Sequence, residues 1–398
     1  MRTLIGLAVG SGLEGIDAAV VRGEGIGLDF RPAVVSALRV TFPPPLRDAI
    51  REAVPGSPFA VNEDIIRNIA ETAIHATRQI LSRSGISPRD TFALALLKPA
   101  RPVVELGVVW PEIADRLAEQ TGLTVVHGFR HRDRAAGGAG HPITAAADHL
   151  LFQASPHPRL LVHLGAVSSL LQVDPSEKIF DARGFDAGPG NQLLDALIYH
   201  GTRGREATDP GGKKAVQGRC LEPLLDRWCD YPHLTRTPPK VVHPEAFGRS
   251  FLLAAFESVR QLGAGLPDLL CTTTHLIARA VGEGVRRWLP ATTPRQVLVT
   301  GGGVRNGFLW QLVAQQFEEG IVRSDEAGIP PLARNAAASA VLAALTCDGV
   351  AGNLSTLTGA SGSRLLGHFT PGDGRNWGKI AAWLADQTVE YPRVSRAA

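Results

Sequence analysis

The segment "LIGLAVGSGLEGIDAAVVRG", residues 4–23, carries Gly10-Ser11-Gly12-Leu13-Glu14-Gly15, a GxGxxG behind an apolar run. In a dinucleotide-binding fold the third glycine opens a helix whose N-terminus meets a pyrophosphate. Here Gly15 is followed by Ile-Asp-Ala-Ala-Val-Val, with Ile16, Ala18 and Val20 on one face. Alternating, β-branched residues favour a second strand over a helix. Asp29 stands near the distance expected of a ribose-binding acid, but without the helix the fingerprint lacks its context. The glycines are therefore read as the turn of a β-hairpin. Free of Cβ atoms, such a turn can close its backbone N–H groups on phosphate oxygens.

A second stretch repeats the pattern. "RLLVHLGAVSSLLQV", residues 159–173, reads as two strands around a turn at Gly165, and "QVLVTGGG", 296–303, as a strand ending in glycines. Helical spacing marks "VNEDIIRNIAETAIHATRQILSRSG" (61–85), "EIADRLAEQTG" (112–122), a segment beginning near Pro142, the residues after Gly190, and "RNAAASAVLAALTCDG" (334–349). "FALALL" (92–97), "PVVELGVVW" (102–110) and "LTVVHGF" (123–129) read as strands. Two glycine hairpins facing across a cleft would grip a nucleoside triphosphate from both sides. That is the plan of the superfamily of sugar kinases, acetate kinase, Hsp70 and actin. The expectation is an α/β protein of the two-domain actin-like kind with a nucleotide between the domains. The first domain would span 1–145 and the second 146–375, and a tail helix at 376–398 would pack back on the first.

Composition narrows the class. At 398 residues, with 44% hydrophobic and 20% charged residues, the chain reads as a globular protein of two ordinary domains. The balance of 41 basic against 38 acidic residues gives +3, and the basic residues are scattered, which argues against nucleic acid as a partner. No stretch reaches the ~20 apolar residues of a membrane helix. With no signal-like leader, the expected location is the cytoplasm. Cys220, Cys229, Cys271 and Cys347 form no metal spacing and are read as idle thiols.

Several further motifs fall in order along the chain. They are Val9–Gly15 with Ile16 and Asp17, "GFRHRD" (128–133), "GGAGHP" (137–142), "HLGAVSS" (163–169), "FDAGPGNQLLDALI" (185–198), "TGGGVRN" (300–306) and "GNLSTLTGAS" (352–361). Together they resemble the anhydro-N-acetylmuramic acid kinase family over nearly the whole length. The resemblance implies ATP and Mg²⁺ as cofactors, a small sugar as substrate, and a homodimer. It implies nucleotide contacts at Gly10, Ser11, Gly12, Leu13, Glu14, Gly15, Asp17, Gly165, Gly301, Gly302, Gly303 and Asn306. It implies sugar contacts at Arg130, Asp133, Gly188, Gly190 and Asn191.

An acid before a glycine turn at a strand end can reach a ligand, which makes Asp186 the catalytic candidate, against a role bracing its own turn. In the family the corresponding aspartate activates a water that opens a 1,6-anhydro ring while O6 receives the γ-phosphoryl group. Asp195, on the following helix, is read as a cap or a solvated acid. An arginine fork at Arg130 suits a carboxylate such as a lactyl group, against a surface ion-pair cluster with Arg132 and Asp133. Asn306 can cap a helix or face the nucleotide. His127, His131 and His141 crowd one region but lack partners for a metal, so the metal ligands stay unassigned.

Departures from the family pattern are specific. "LALLKPARP" (94–102) holds no His-Gly-Gln-Thr-Val strand, and the first hairpin has Glu14 in place of aspartate. The second has His163 and Ser169 for asparagines and Ala166 for a glycine, and Arg334-Asn335-Ala336 replaces an acid-bearing motif. An active kinase, a kinase for a different sugar, and a catalytically weak ligand-binding or regulatory relative all stay open.

Overall fold

The computed structural model describes residues 1–10, 12, 14–52, 63–99, 106–243, 246–289 and 296–386. Its strands are β1 (Arg2–Val9), β2 (Gly15–Glu24), β3 (Arg31–Thr41), β4 (Ala93–Leu97), β5 (Val125–His127), β6 (Arg159–Leu164), β7 (Val167–Val173), β8 (Gly184–Pro189), β9 (Gln296–Thr300), β10 (Val322–Arg323) and β11 (His368–Thr370). They form two sheets, ordered β11-β5-β4-β1-β2-β3 and β10-β9-β6-β7-β8. In each, an antiparallel three-strand meander is extended from its first strand by parallel strands, β4 and β5 in one and β9 and β10 in the other. This duplicated order is the actin-like plan. Gly15–Glu24 is a strand paired along β1, so the GxGxxG opens no helix.

Alternation along β1 sends its side chains to two cores. Ile5, Leu7 and Val9 pack with Ile69, Ala73 and Ile80 of the helix Glu63–Ser84, and with Ile113 and Leu117 of the helix Leu106–Thr121. Leu4 and Ala8 face the other way, onto the helices Ala145–Phe152 and Arg334–Cys347. The second of these lies directly on the strand. A Cβ at Gly6 would fall 1.8 Å from the Ala336 carbonyl oxygen, so the close approach of the helix backbone admits only glycine at that position. The second sheet builds its own core with the helices Asn191–Gly201 and Leu266–Trp288.

One expectation is corrected. Residues 106–110, read as part of a strand, belong to the helix Leu106–Thr121; residues 100–105 lie outside the described set. Trp110, Ile113, Ala114, Leu117 and Ala118 are all buried, so an apolar stripe of helical period overrides the strand preference of the valines. β11 pairs with β5, and the helix Arg334–Cys347 covers β1, so residues beyond 333 return to the first sheet.

The helix Gly374–Asp386 closes that side. Asn376 accepts from the Thr124 amide at 2.8 Å and donates to the Thr91 and Phe92 carbonyls. Arg2 stacks its guanidinium against Phe30, Phe92 and Trp383, 4.6–5.6 Å from the ring centres. Asp348 receives Arg2 at 2.8 Å, the Gly27 amide at 2.7 Å and the Trp383 indole at 3.0 Å. The rest of the expected tail, 387–398, lies outside the described residues.

Candidate active site

The turn between β6 and β7 is fixed from behind. The amides of Asn191 and Gln192, which open the helix Asn191–Gly201, donate to the carbonyls of Gly165 and Ala166 at 2.9 and 3.2 Å. The Asn191 side chain donates to Leu164 O at 3.1 Å. The carbonyls of the turn are thereby used, and its N–H groups are the polar atoms left for an anion. Asn191 and Gly190 act here as supports of the hairpin. Gly188 sits opposite Ser168 across the β7–β8 ladder.

The loop after β9 packs on the same turn. Gly301 has φ +92°, and a Cβ on it would stand 2.5 Å from Leu164 O, so two constraints demand glycine at this position. Gly302 and Gly303 begin the short helical turn that follows, and the Asn306 side chain caps the next helix by accepting from the Leu309 amide at 3.0 Å. Arg305, on this loop, is close enough to lower the pKa of Asp17 by its charge, which brings the loop up to the first hairpin.

At that hairpin, Gly10, Gly12, Glu14 and Gly15 are described, while Ser11 and Leu13 lie outside the described residues. Asp17 is buried and held in a two-point ion pair with Arg39, at 2.6 and 2.8 Å. Burial pushes its pKa up, with Arg39 and Arg305 opposing. Glu14 stands 3.7 Å from Arg39. Asp17 therefore spends both oxygens on Arg39. Among the described residues no group of three His, Cys, Asp or Glu is placed to hold a metal ion. The described residues thus offer no dedicated Mg²⁺ cage.

Asp186, on β8, is buried to 1% exposure. Its Oδ2 accepts from the Val242 amide at 2.9 Å. Its Oδ1 has no hydrogen bond of good geometry and lies 3.0 Å from Nδ1 of His141, which likewise has no other partner. The carboxylate is thus covered rather than bare, and the ring over it belongs to a residue that sequence reasoning grouped with other histidines. Those others sit apart from it. His131 lies 3.4 Å from His368, whose ring is 6.0 Å from that of His127, and Lys98 approaches His131 at 3.3 Å.

Asp133 and Arg130 brace the glycine turn beside them. Asp133 is fully buried, accepting from Gly140 N at 2.8 Å and from Asn353 and Thr358, each at 2.7 Å. Three donors account for it structurally. Arg130 donates to the Gly140 carbonyl, and its Nε has no partner. Burial lowers its pKa to about 10, with Arg134 adding to the effect and Asp133 and Asp186 opposing it.

The contacts of two residues lie beyond the sequence reading. His163 accepts or donates at 2.7 Å to the Thr300 hydroxyl, and burial, with Arg334 and His141 nearby, holds it neutral well below the usual histidine range. Arg334 makes a two-point ion pair with Asp148, at 2.6 Å through Nε, and Asp148 is sealed from solvent. Desolvation raises the Asp148 pKa and Arg334 lowers it. Arg334 had been noted only for the acid it displaced; its partner stands 186 residues away, beyond any local pattern.

Among the described residues no helix is long and apolar enough to cross a membrane. A search of solved structures finds only a slight likeness. The activator of the 2-hydroxyisocaproyl-CoA dehydratase from Clostridium difficile with bound ADPNP is 11% identical, covers 86% of this chain and 94% of that one, and has a TM-score of 0.43. Sequence relatives are nearer. The anhydro-N-acetylmuramic acid kinase of Synechococcus elongatus is 33% identical over 376 residues, covering 92% of this chain and 98% of that protein. The one named so in Bordetella pertussis is 32% identical over 383 residues, covering 93% and 96%. The family model described as anhydro-N-acetylmuramic acid kinase matches residues 2–372. The chain belongs to the anhydro-N-acetylmuramic acid kinase family.

Proposed function

We propose that the protein is an ATP-dependent kinase that opens the 1,6-anhydro ring of anhydro-N-acetylmuramic acid with water while phosphorylating O6. The product is N-acetylmuramic acid 6-phosphate, a step in cell-wall recycling. The single observation that carries this reading is the family match across residues 2–372, which includes Asp186 within "FDAGPGN". The turn N–H groups near Gly10 and Gly165 are suited to phosphate oxygens, and the glycines at 301–303 to a flat base. Arg130, with a free Nε beside Asp186, is suited to the lactyl carboxylate. A Mg²⁺ ion would neutralise phosphate charge when bound. With no group of three His, Cys, Asp or Glu among the described residues to cage it, it would be held by the nucleotide and water.

Phosphoryl transfer needs chiefly placement and charge neutralisation, while ring opening needs a proton acceptor for water. The test is ATP turnover with anhydro-N-acetylmuramic acid, with the sugar 6-phosphate identified as product, for the native protein and Asp186→Asn. Turnover lost in the variant supports the reading; no turnover and no nucleotide-induced thermal shift in the native protein removes it. A second reading, a nucleotide-binding regulator, rests on His163, Ala166 and Ser169 at the second hairpin. Nucleotide binding without turnover of any anhydro sugar would favour it.

A further inference from the structure

Lys98 stands within "LALLKPARP", the stretch that holds no His-Gly-Gln-Thr-Val strand. It directly follows β4, as residues 128–131 follow β5, and β1, β4 and β5 run parallel. Both segments therefore lie at the C-terminal edge of these strands, where the turn at Gly10 also begins and where open α/β sheets bind ligands. Lys98 is half-buried, with Nζ 3.3 Å from Nε2 of His131. An ammonium can only donate, so Nε2 accepts one of its three N–H groups and the His131 proton resides on Nδ1, 3.4 Å from His368 Nε2.

Two arginines share this edge. A Cβ on Gly140 would stand 3.3 Å from Arg130 Cβ and 2.8 Å from Arg134 Nε, so both side chains flank that turn. Arg130 is 5% exposed, and its buried Nε has no partner. Burial first, then the charges of Arg134 and Arg130, lowers the Lys98 pKa from 10.5 to about 8. The acid among them does not relieve the crowding, because Asp133 gives its oxygens to Gly140 N, Asn353 and Thr358. Among the described residues no carboxylate forms an ion pair with Lys98, Arg130 or Arg134. Cations gathered without carboxylates at a ligand-binding edge suit an anionic ligand.

Resting on that kinase reading, we propose that Lys98 is a specificity-determining residue: with Arg130 and Arg134 it forms a subsite for the carboxylate of the sugar and selects acidic anhydro sugars over neutral ones. The ammonium and the buried guanidinium supply charge-assisted N–H donors to the two carboxylate oxygens. His131, whose pKa is lowered by burial and then by Lys98, His368 and Arg134, is neutral at pH 7.5 and steadies the ammonium. His127, lowered to about 4, adds no charge there.

The experiment measures kcat and KM for ATP and for two sugars, anhydro-N-acetylmuramic acid and 1,6-anhydro-N-acetylglucosamine, which lacks the lactyl carboxylate; where the neutral sugar is not turned over, its inhibition constant takes the place of KM. Lys98→Met is expected to raise the KM for the acidic sugar about 10- to 100-fold with kcat within about threefold, and to leave the neutral sugar and ATP within about threefold. In the native protein the KM for the acidic sugar should rise at least about fivefold from pH 7 to 9.5, as Lys98 loses its proton. Lys98→Arg keeps its charge and should flatten that rise. An unchanged KM for the acidic sugar in Lys98→Met overturns the proposal, as does an equal loss for both sugars, which a structural support would give, or a loss confined to ATP. If Lys98→Met does not fold, Lys98→Arg decides: a rise with pH as steep as the native one overturns the proposal. Calorimetric binding of the acidic sugar separates the two readings. Binding that Lys98→Met weakens, in a native protein that never phosphorylates the sugar, sinks the kinase reading while the subsite stands. Turnover by a native protein whose affinity is indifferent to Lys98 does the reverse, and neither binding nor turnover removes both.

Discussion

Lowering the pH from 7.5 to 5 should destabilise this protein through histidines it holds neutral, and His127 allows the size to be worked out. The ring is buried on β5, with Nδ1 unpartnered and Nε2 3.2 Å from the Thr370 hydroxyl. Burial first, then the charges of His368 and His131, lowers its pKa from 6.5 to about 4, with Asp115 opposing. The folded state therefore refuses a proton that the unfolded chain accepts below pH 6.5. Stability is full above that value and falls as the pH drops from about 6.5 to about 4. With 1.36 kcal/mol per pKa unit, the loss assigned to His127 between pH 7.5 and 5 is about 2 kcal/mol. His163, His131, His149, His233 and His275 are lowered too, so the whole protein loses more. Urea unfolding of the native protein and of His127→Gln at both pH values isolates the single residue. The variant should lose about 2 kcal/mol less over the interval. Equal losses in the two proteins, within about 0.5 kcal/mol, would refute the reasoning.

Three further outcomes are expected. Arg334→Met strands the Asp148 carboxylate in the interior and should cost about 3–5 kcal/mol by urea unfolding, most of it recovered in Arg334→Met/Asp148→Leu; an unchanged midpoint in the single variant would contradict the pairing. Gly301→Ala forces a Cβ against Leu164 O at φ +92° and should cost at least about 1 kcal/mol while abolishing the nucleotide-induced thermal shift, whereas Gly320→Ala, with open space around it, should keep that shift. Asp348→Asn weakens the hold on Arg2 and Trp383 and should speed proteolysis of the C-terminal helix; equal cleavage rates would show that the anchor lies elsewhere.

The fold was legible because its signals are local and periodic. Ile16, Ala18 and Val20 alternate as a strand must, and the glycines at 10, 12 and 15 mark where the chain reverses. The helix Glu63–Ser84 shows its buried stripe in sequence alone. The site was legible only in outline. Asp186 is marked as a candidate by the glycine turn that follows it, yet nothing near residue 186 indicates a histidine 45 positions earlier. The Arg334–Asp148 pair and the return of β11 to β5 are likewise long-range facts, set by packing rather than by spacing. Asp133 and Asn306 stay candidate ligand groups because acids and amides beside glycines serve both purposes. Each also has partners within the fold, three donors for Asp133 and the Leu309 amide for Asn306.

The crossing of the chain back to its first sheet has a consequence for biosynthesis. All five strands of the second sheet lie between Arg159 and Arg323, so they are all present once the ribosome has passed that point. The first sheet still lacks its edge strand at His368–Thr370 and the alanine-faced helix that covers β1. The half begun earliest is thus the last to be completed, and until then it exposes an apolar surface that the nascent chain must keep from other proteins.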